Sequence, residues 1–141
     1  MDGEKLQILL VEDAEPDVFV VRESLGQSGL AFELKVLDDG EKAVDFVDGM
    51  DRDDTAPLPD VILLDFNLPK KSGPQVLERI RRSPRCAGIP VVVVTSSDSP
   101  RDKAEAARLG VLHYFRKPSR LDEFMKLGPL VRGAVGDQRQ I

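Results

Sequence analysis

The stretch VILLDFNLPKKSG, residues 61–73, runs four apolar residues directly into an aspartate. Because an ionised carboxylate is costly to bury, Asp65 needs a reason to follow an apolar run. Two other runs, LQILLV at 6–11 and IPVVVVT at 89–95, also lack polar alternation. Such runs are typical of strands in a parallel sheet that is covered on both faces. The stretch therefore predicts a central strand that ends on a polar side chain.

The rest of the chain completes a repeating strand and helix pattern. Weaker strands are predicted at 32–37 and 111–115, and helical periodicity indicates helices at 16–28, 41–47, 74–83, 101–109 and 120–133. Ser72 and Ser99 precede prolines as helix caps do, and Ser119 with Asp122 resembles a capping box. Five strand and helix pairs predict an α/β protein with a doubly wound, five-stranded parallel sheet in a three-layer α/β/α arrangement.

Two segments interrupt this regular pattern. Residues 48–59 are polar and contain prolines, which predicts an extended surface loop. Gly128 and Pro129 fall within the last predicted helix and are expected to kink or end it, so that the residues beyond form an arm. The length of 141 residues fits one domain, which we place at 1–135 with a C-terminal tail at 136–141.

Composition narrows the class of protein. The N-terminus lacks the features of a secretory signal, no segment is apolar for a membrane-spanning length, and Cys86 is the single cysteine. These features predict a soluble, cytoplasmic protein without membrane contact. The first half of the chain is acidic and the second is basic, but the basic residues are scattered and only one tyrosine is present. Solvated helix faces, or else a protein-docking face, explain this pattern better than nucleic-acid binding.

Polar side chains follow the predicted strands. Glu12 and Asp13 end the first strand, Asp65 the third and Thr95 the fourth, and Lys117 comes shortly after the fifth. Each alone has an ordinary explanation as a cap, a turn residue or a surface side chain. Because the carboxyl ends of parallel strands meet at one edge of a sheet, together they predict a single site.

This set of side chains favours a metal and phosphoryl chemistry. Clustered carboxylates repel one another unless a cation lies among them, and few oxygen ligands with room for water favour Mg²⁺. Asp65 would then attack phosphorus while Lys117 and Thr95 neutralise the phosphoryl oxygens. Asn67 is expected to add a backbone carbonyl to the metal.

The turn after the third predicted strand should expose these groups. Pro69 and Gly73 are expected to shape it. Lys70 and Lys71 are expected to extend a positive rim toward an incoming anion.

The segments LLVED, LLDFNLP, VVVVTSS and FRKP resemble the four signature segments of the receiver domain of two-component response regulators, over residues 6 to about 133. The resemblance implies a flavodoxin-like (βα)5 fold and phosphorylation of Asp65. It also implies a metal held by Asp13, Asp65 and the Asn67 carbonyl, with Glu12 acting through water, and a cis peptide between Lys117 and Pro118. The residues expected to bind the phosphoryl group or to switch are Thr95, Ser96, Lys117 and Tyr114.

The resemblance also implies a conformational switch. Phosphorylation would draw the Thr95 hydroxyl inward and let Tyr114 turn from solvent toward the core. The alternative for Tyr114 is a half-buried aromatic at the sheet edge with no moving part.

DFNLPKKSG and the long loop before the third strand are more narrowly similar to the single-domain response regulators that partner bacterial and cyanobacterial phytochromes. This similarity implies a phytochrome-type sensor histidine kinase as partner and homodimers formed through the last helices. The apolar residues expected to form that surface are Leu121, Phe124, Leu127, Leu130 and Val131.

Several functions remain open at this point. The chain would act as a phosphoacceptor that signals by a change of shape, as a phosphate sink, or as a relay to a histidine phosphotransfer protein, and not as an enzyme. A Mg²⁺-dependent phosphatase with an aspartate nucleophile needs a second aspartate two residues on, where Asn67 stands. A flavin module is disfavoured because EDAEPD would repel phosphate, and a DNA-binding regulator because no recognition helix is attached.

Overall fold

A computed structural model describes residues 5–139. Strands and helices alternate along the chain. The strands are β1 (Leu6–Val11), β2 (Phe32–Leu37), β3 (Val61–Leu64), β4 (Val91–Thr95) and β5 (His113–Arg116). The helices are α1 (Glu15–Gln27), α2 (Gly40–Arg52), α3 (Gly73–Arg82), α4 (Pro100–Arg108), α5 (Leu121–Phe124) and α6 (Leu127–Arg139).

The five strands form one parallel sheet in the order β2-β1-β3-β4-β5. The chain moves outward from β1 to β2 and then returns to the other side of β1, so the strand order reverses between β1 and β3. The predicted doubly wound, flavodoxin-like fold is confirmed. In such sheets the ligand crevice lies beyond the carboxyl ends of the strands at this switch point.

The alternating side chains of the central strands divide the core into two layers. One layer packs against α2, α3 and α4, and it includes Val11, Leu64 and Val93. The other packs against α1, α5 and α6, and it includes Leu10 and Leu63. Both faces of the inner strands are thus buried, which explains why their sequences show no polar alternation.

The predicted loop at 48–59 begins too early, because α2 continues to Arg52. Two of its aspartates accept hydrogen bonds from side chains of α3 and of Ser83, the residue after α3. Arg79 Nη2 lies 2.8 Å from both Asp48 Oδ1 and Asp51 Oδ2. The Ser83 hydroxyl also donates to Asp51 over 2.6 Å. These bonds favour the helix over the loop that the polar composition indicated.

The break in the last predicted helix falls earlier than expected. Because α6 begins at Leu127, Gly128 and Pro129 lie in its first turn, where proline interrupts no helical hydrogen bond. The Gly128 N–H donates to Ser24 Oγ over 2.7 Å, and a Cβ at Gly128 would overlap the Ser24 carbonyl. The following helix is packed and is not an arm, since Val131 and Val135 are buried.

Two smaller predictions concern helix caps. Ser72 forms a reciprocal capping box with Gln75, and Ser99 caps α4, as expected. The Ser119 box is wrong, because Arg120 is the residue before α5 and makes no side-chain cap.

Three of the five candidate dimer residues do not lie on the surface. Phe124, Leu127 and Val131 belong to the core layer against α1, so they cannot offer apolar surface to a second copy. Helical periodicity identified an apolar face but not the element that covers it. Leu121 is 62% exposed and Leu130 is half-buried. Among the residues that the structure describes, no helix is both long and apolar enough to cross a membrane.

Candidate functional site

Backbone hydrogen bonds carry the strand register one residue past the strand ends and align the acidic side chains. Val11 pairs with Leu64, the last residue of β3. Asp65, which follows directly, donates its N–H to the Val11 carbonyl over 3.1 Å. Glu12 is fixed in the same way by its N–H bond to the Leu37 carbonyl at 2.9 Å. On the other side of the site, the Lys117 N–H bonds the Thr95 carbonyl at 2.8 Å. The predicted convergence on one edge is therefore observed.

The Lys117 ammonium lies at the centre of this edge. Its Nζ donates to Glu12 Oε1 at 2.7 Å, Asp17 Oδ2 at 2.7 Å and Asp65 Oδ2 at 2.8 Å. The side chains of Lys117, Glu12 and Asp65 are 9%, 1% and 5% exposed. Burial alone would lower the pKa of Lys117, but its bonds to the three carboxylates outweigh burial and raise the pKa above its ordinary value. The lysine is therefore a permanent buried cation.

Glu12 is the carboxylate that burial affects most. Burial raises its pKa to about 7, and the nearby charge of Asp65 adds to the rise. Hydrogen bonds from Lys117 and from the Ala14 N–H act in the opposite direction without overcoming burial. Glu12 thus changes charge near neutral pH when no other cation is bound.

Three carboxylates at this edge are close enough to share a metal ion. Oxygens of Glu12, Asp13 and Asp65 all lie within 4.8 Å of one another. Asp13 is exposed, whereas the other two are buried, so water can complete a coordination shell on the Asp13 side. An all-oxygen set with an open side fits a hard divalent cation such as Mg²⁺. Asn67 adjoins this group, since its N–H donates to Asp65 Oδ1 at 2.9 Å.

The hydroxyl residues lie on the β4 side of the site. Thr95 is fully buried and its Oγ1 accepts the Ser97 N–H at 3.3 Å. The Ser96 hydroxyl accepts a bond from the Asn67 side-chain amide at 3.4 Å. Ser97 in turn bonds Asp102 through its hydroxyl. The β4–α4 connection is therefore tied both to the site and to α4.

Tyr114 faces inward. Its hydroxyl donates to the Ser97 carbonyl at 3.0 Å, and its ring packs edge-on against Phe66 with 6.1 Å between ring centroids. The position is that of a half-buried aromatic at the edge of the core. The expected solvent-facing starting position of Tyr114 is therefore wrong for this structure, because its hydroxyl is bonded to Ser97 and its ring packs on Phe66. A change in its packing on phosphorylation stays a prediction.

The turn after Asp65 is tightly constrained. The Gly73 N–H bonds the Phe66 carbonyl at 3.0 Å, and a Cβ at Gly73 would overlap the Phe66 Cα and the Asp65 carbonyl. The Pro69 carbonyl accepts N–H bonds from Gly40 at 3.1 Å and Lys71 at 2.9 Å. Both residues thus hold the turn, as their sequence positions predicted.

Two expectations about this region are wrong. Lys70 adopts a φ of 71° and directs its ammonium to the start of α2, where it lies 3.8 Å from Asp39 Oδ2, so it does not extend the rim toward an anion. The carboxylates of Asp39 and Glu41 at the start of α2 attract this ammonium. The peptide between Lys117 and Pro118 is trans. Trans is the preferred isomer before proline, by about 0.5–1 kcal/mol.

Asp17 belongs to the site although the strand-end argument omitted it. It lies in the first turn of α1, not at a strand end, yet it bonds Lys117 as closely as Glu12 does. Pro16 was the available signal, since a proline at a helix start places the next residue in the first turn above Glu12 and Asp13.

A buried lysine, a carboxylate cluster and a buried threonine at the switch point of a flavodoxin-like sheet define a phosphoacceptor class of signalling module. Residues 8–127 match the response regulator receiver domain family. The chain is also 40% identical over 120 residues to the response regulator Rcp1 of Synechocystis sp. (strain ATCC 27184 / PCC 6803 / Kazusa), covering 85% of this chain and 82% of Rcp1.

Solved structures agree with this match. The phosphorylated cyanobacterial phytochrome response regulator RcpA has a TM-score of 0.85 and 31% identity, over 97% of this chain and 98% of RcpA. The Mn²⁺-bound form of Rcp1 has a TM-score of 0.80 and 38% identity, over 91% and 92%. The chain belongs to the response regulator receiver domain family. It is a signalling protein related to phytochrome response regulators, and receiver domains interact with histidine kinases.

Proposed function

We propose that this chain accepts a phosphoryl group on Asp65 from a sensor histidine kinase and signals through the resulting change of shape. The observation that carries the proposal is the placement of Asp65. Its carboxylate is buried, one oxygen accepts the Asn67 N–H and the other accepts the Lys117 ammonium. A nucleophile fixed between two donors, inside a carboxylate cluster, is suited to phosphoryl transfer, which depends mainly on positioning and electrostatics.

The chemistry needs few groups from the protein. An Asp65 oxygen forms a bond to phosphorus while the phosphorus–nitrogen bond of a kinase phosphohistidine breaks and its electron pair returns to the imidazole. Lys117 and the Thr95 hydroxyl compensate the charge on the phosphoryl oxygens. Mg²⁺ held by Asp13, Asp65, the Asn67 carbonyl and, through water, Glu12 would supply positive charge beside those oxygens.

The signal would pass through the β4–α4 connection. Thr95, Ser96 and Ser97 join the site to Tyr114 through the bonds between Thr95 Oγ1 and the Ser97 N–H and between the Ser97 carbonyl and the Tyr114 hydroxyl. A Thr95 hydroxyl drawn toward a phosphoryl group would give up the first bond. The second would then loosen, and Tyr114 and α4 would adopt a new packing.

The partners follow from the relatives and the surface. Similarity to Rcp1 and RcpA supports a phytochrome-type sensor kinase as the phosphoryl donor. Relay to a histidine phosphotransfer protein, or a role as a phosphate sink, would use the same chemistry at Asp65. A homodimer would use the exposed Leu121 and the half-buried Leu130, without the three buried residues expected earlier. Nucleic-acid binding, membrane attachment and turnover of external phosphoesters form no part of the proposal, and a cytoplasmic location agrees with a kinase donor.

The phosphatase alternative is not supported. Asn67 occupies the position where that mechanism needs a second carboxyl group, and its N–H is engaged with Asp65. The family match also lies with receiver domains.

Acetyl phosphate with Mg²⁺ tests the proposal. Intact-mass measurement should show one added phosphoryl group of about 80 Da, labile as an acyl phosphate. Asp65→Asn should abolish the addition, and Asp54→Asn, at an exposed position on the α2–β3 loop, should leave it unchanged. An adduct of equal yield in Asp65→Asn would refute the assignment of the acceptor.

A further inference from the structure

We propose that Asp17 is a positioning residue that holds the Lys117 ammonium in place for phosphoryl transfer. The inference rests on the function proposed above and extends it to a side chain outside the carboxylate cluster. Lys117 has three N–H donors, and all three are used by Glu12, Asp17 and Asp65 at 2.7–2.8 Å. The direction of the ammonium is therefore fixed by three carboxylates, of which Asp17 is one.

The three partners of Lys117 differ in what happens to them during the reaction. Asp65 becomes an acyl phosphate, so the oxygen that accepts the phosphoryl group loses its charge. Glu12 belongs to the group of carboxylates close enough to share a cation. Asp17 is outside that group among the described residues. It is therefore the one carboxylate partner that neither reacts nor is drawn toward a metal.

The local structure keeps Asp17 in position. Asp17 is the third residue of α1, directly after Pro16, and its N–H bonds the Ala14 carbonyl at 3.0 Å. The fixed φ of proline and the helical turn limit the movement of its backbone. Its negative charge is also favoured at a helix N-terminus. The side chain of Asp17 is 32% exposed, against 1% for Glu12, so Asp17 keeps more contact with water than Glu12 does.

The bond to Asp17 should control the direction of the Lys117 ammonium during phosphorylation. When a phosphoryl group is attached to Asp65, one N–H of Lys117 must turn to a phosphoryl oxygen. A bond to Asp17 keeps the ammonium from following Glu12 toward the metal side and leaves the third donor directed at the phosphoryl group. Displacement of such a group by about 1 Å can slow a reaction by up to about a hundredfold.

A double-mutant cycle tests this role. With saturating acetyl phosphate and Mg²⁺, Asp17→Ala should slow phosphorylation of Asp65 about tenfold, the size expected for a lost charge-assisted hydrogen bond. Asp17→Asn, which keeps an acceptor without the charge, should slow it less. In a Lys117→Met background, Asp17→Ala should change the residual rate less than about twofold, because the group that it orients is gone.

Glu15→Ala is the matched control. Glu15 lies in the same turn of α1 and carries the same charge, but the structure shows no bond from it to Lys117. It should slow phosphorylation less than about twofold. A tenfold loss in Glu15→Ala, or equal losses for Asp17→Ala with and without Lys117, would overturn the proposal in favour of a general charge or stability effect.

A second readout does not depend on phosphorylation. In metal-free protein, the ¹H–¹⁵N signal of the Lys117 ammonium should be visible by NMR because its bonded protons exchange slowly with water. Exchange should become at least about fivefold faster in Asp17→Ala and stay unchanged in Glu15→Ala. Equal exchange in all three proteins would refute the contact. If the unaltered chain takes up no phosphoryl group, the proposed function fails, while this spectrum still decides whether Asp17 holds the Lys117 ammonium.

Discussion

Removal of the Lys117 charge should destabilise the metal-free protein substantially. In Lys117→Met, the carboxylates of Glu12 and Asp65 stay buried, at 1% and 5% exposure, but lose their cation. Removing one partner of a buried ion pair lowers the free energy of unfolding by about 3–5 kcal/mol. Loss of the bond to the partly exposed Asp17 adds about 1 kcal/mol, because solvent screens it only in part. Burial of the methionine side chain offsets about 1–2 kcal/mol. We therefore expect a net loss of about 3 kcal/mol.

Urea unfolding in EDTA at pH 8 provides the measurement. With a slope of about 2 kcal/mol per M, the midpoint should fall by about 1.5 M. At pH 5.5 the loss should be about half as large, because Glu12 then carries a proton and only one buried charge stays unpaired. Mg²⁺ should restore part of the stability at pH 8 by binding only the folded protein.

The same substitution at an exposed ion pair is the control. Lys126 lies 3.0 Å from Glu123 and is 68% exposed, so Lys126→Met should change stability by less than about 1 kcal/mol. If Lys117→Met were as stable as the unaltered chain at pH 8 without metal, the buried carboxylates would not need the lysine. The electrostatic account of the site would then be wrong.

The other predictions concern Glu12 and Gly73. The pKa of Glu12 rises from 4.5 to about 7 on folding, so its contribution to stability is complete below about pH 4.5 and lost as the pH rises through about 7. In EDTA, the stability of Glu12→Gln relative to the unaltered chain should therefore increase by about 3 kcal/mol across that window, and urea midpoints that keep a constant difference would contradict this. Gly73→Ala should destabilise by about 2 kcal/mol and slow acetyl phosphate labelling, because the new Cβ overlaps the backbone of Asp65 and Phe66. A Cβ at Gly49 would meet no neighbouring atom within 4 Å, so Gly49→Ala should instead stabilise α2 by about 0.5–1 kcal/mol, measured by thermal unfolding.

The sequence was informative where one local pattern decides the structure. Apolar runs of full strand length identified the three inner strands, and the polar residues at or just after their ends identified Glu12, Asp13, Asp65 and Thr95. These inferences need only the direction of parallel strands. The chemistry of the edge then followed from the residue types.

The errors arose where a distant partner decides the outcome. Asp48 and Asp51 were predicted to lie in a loop because a local sequence pattern does not reveal their ion pairs with Arg79, which lies on another helix. Leu127 looked like free apolar surface because periodicity does not show that α1 covers it. Asp17 was missed because it reaches the site from a helix turn and not from a strand end.

The position of Tyr114 has a practical consequence. The chain contains one tyrosine, no tryptophan and six phenylalanines. Because phenylalanine emits only weakly, the intrinsic ultraviolet emission comes almost entirely from the Tyr114 ring. The phenol group is bonded to the carbonyl two residues beyond Thr95. Excited-state quenching by that carbonyl should disappear when the bond breaks. The unaltered protein thus carries its own optical reporter, and a stopped-flow trace of its emission can time the structural response to acetyl phosphate without any attached dye.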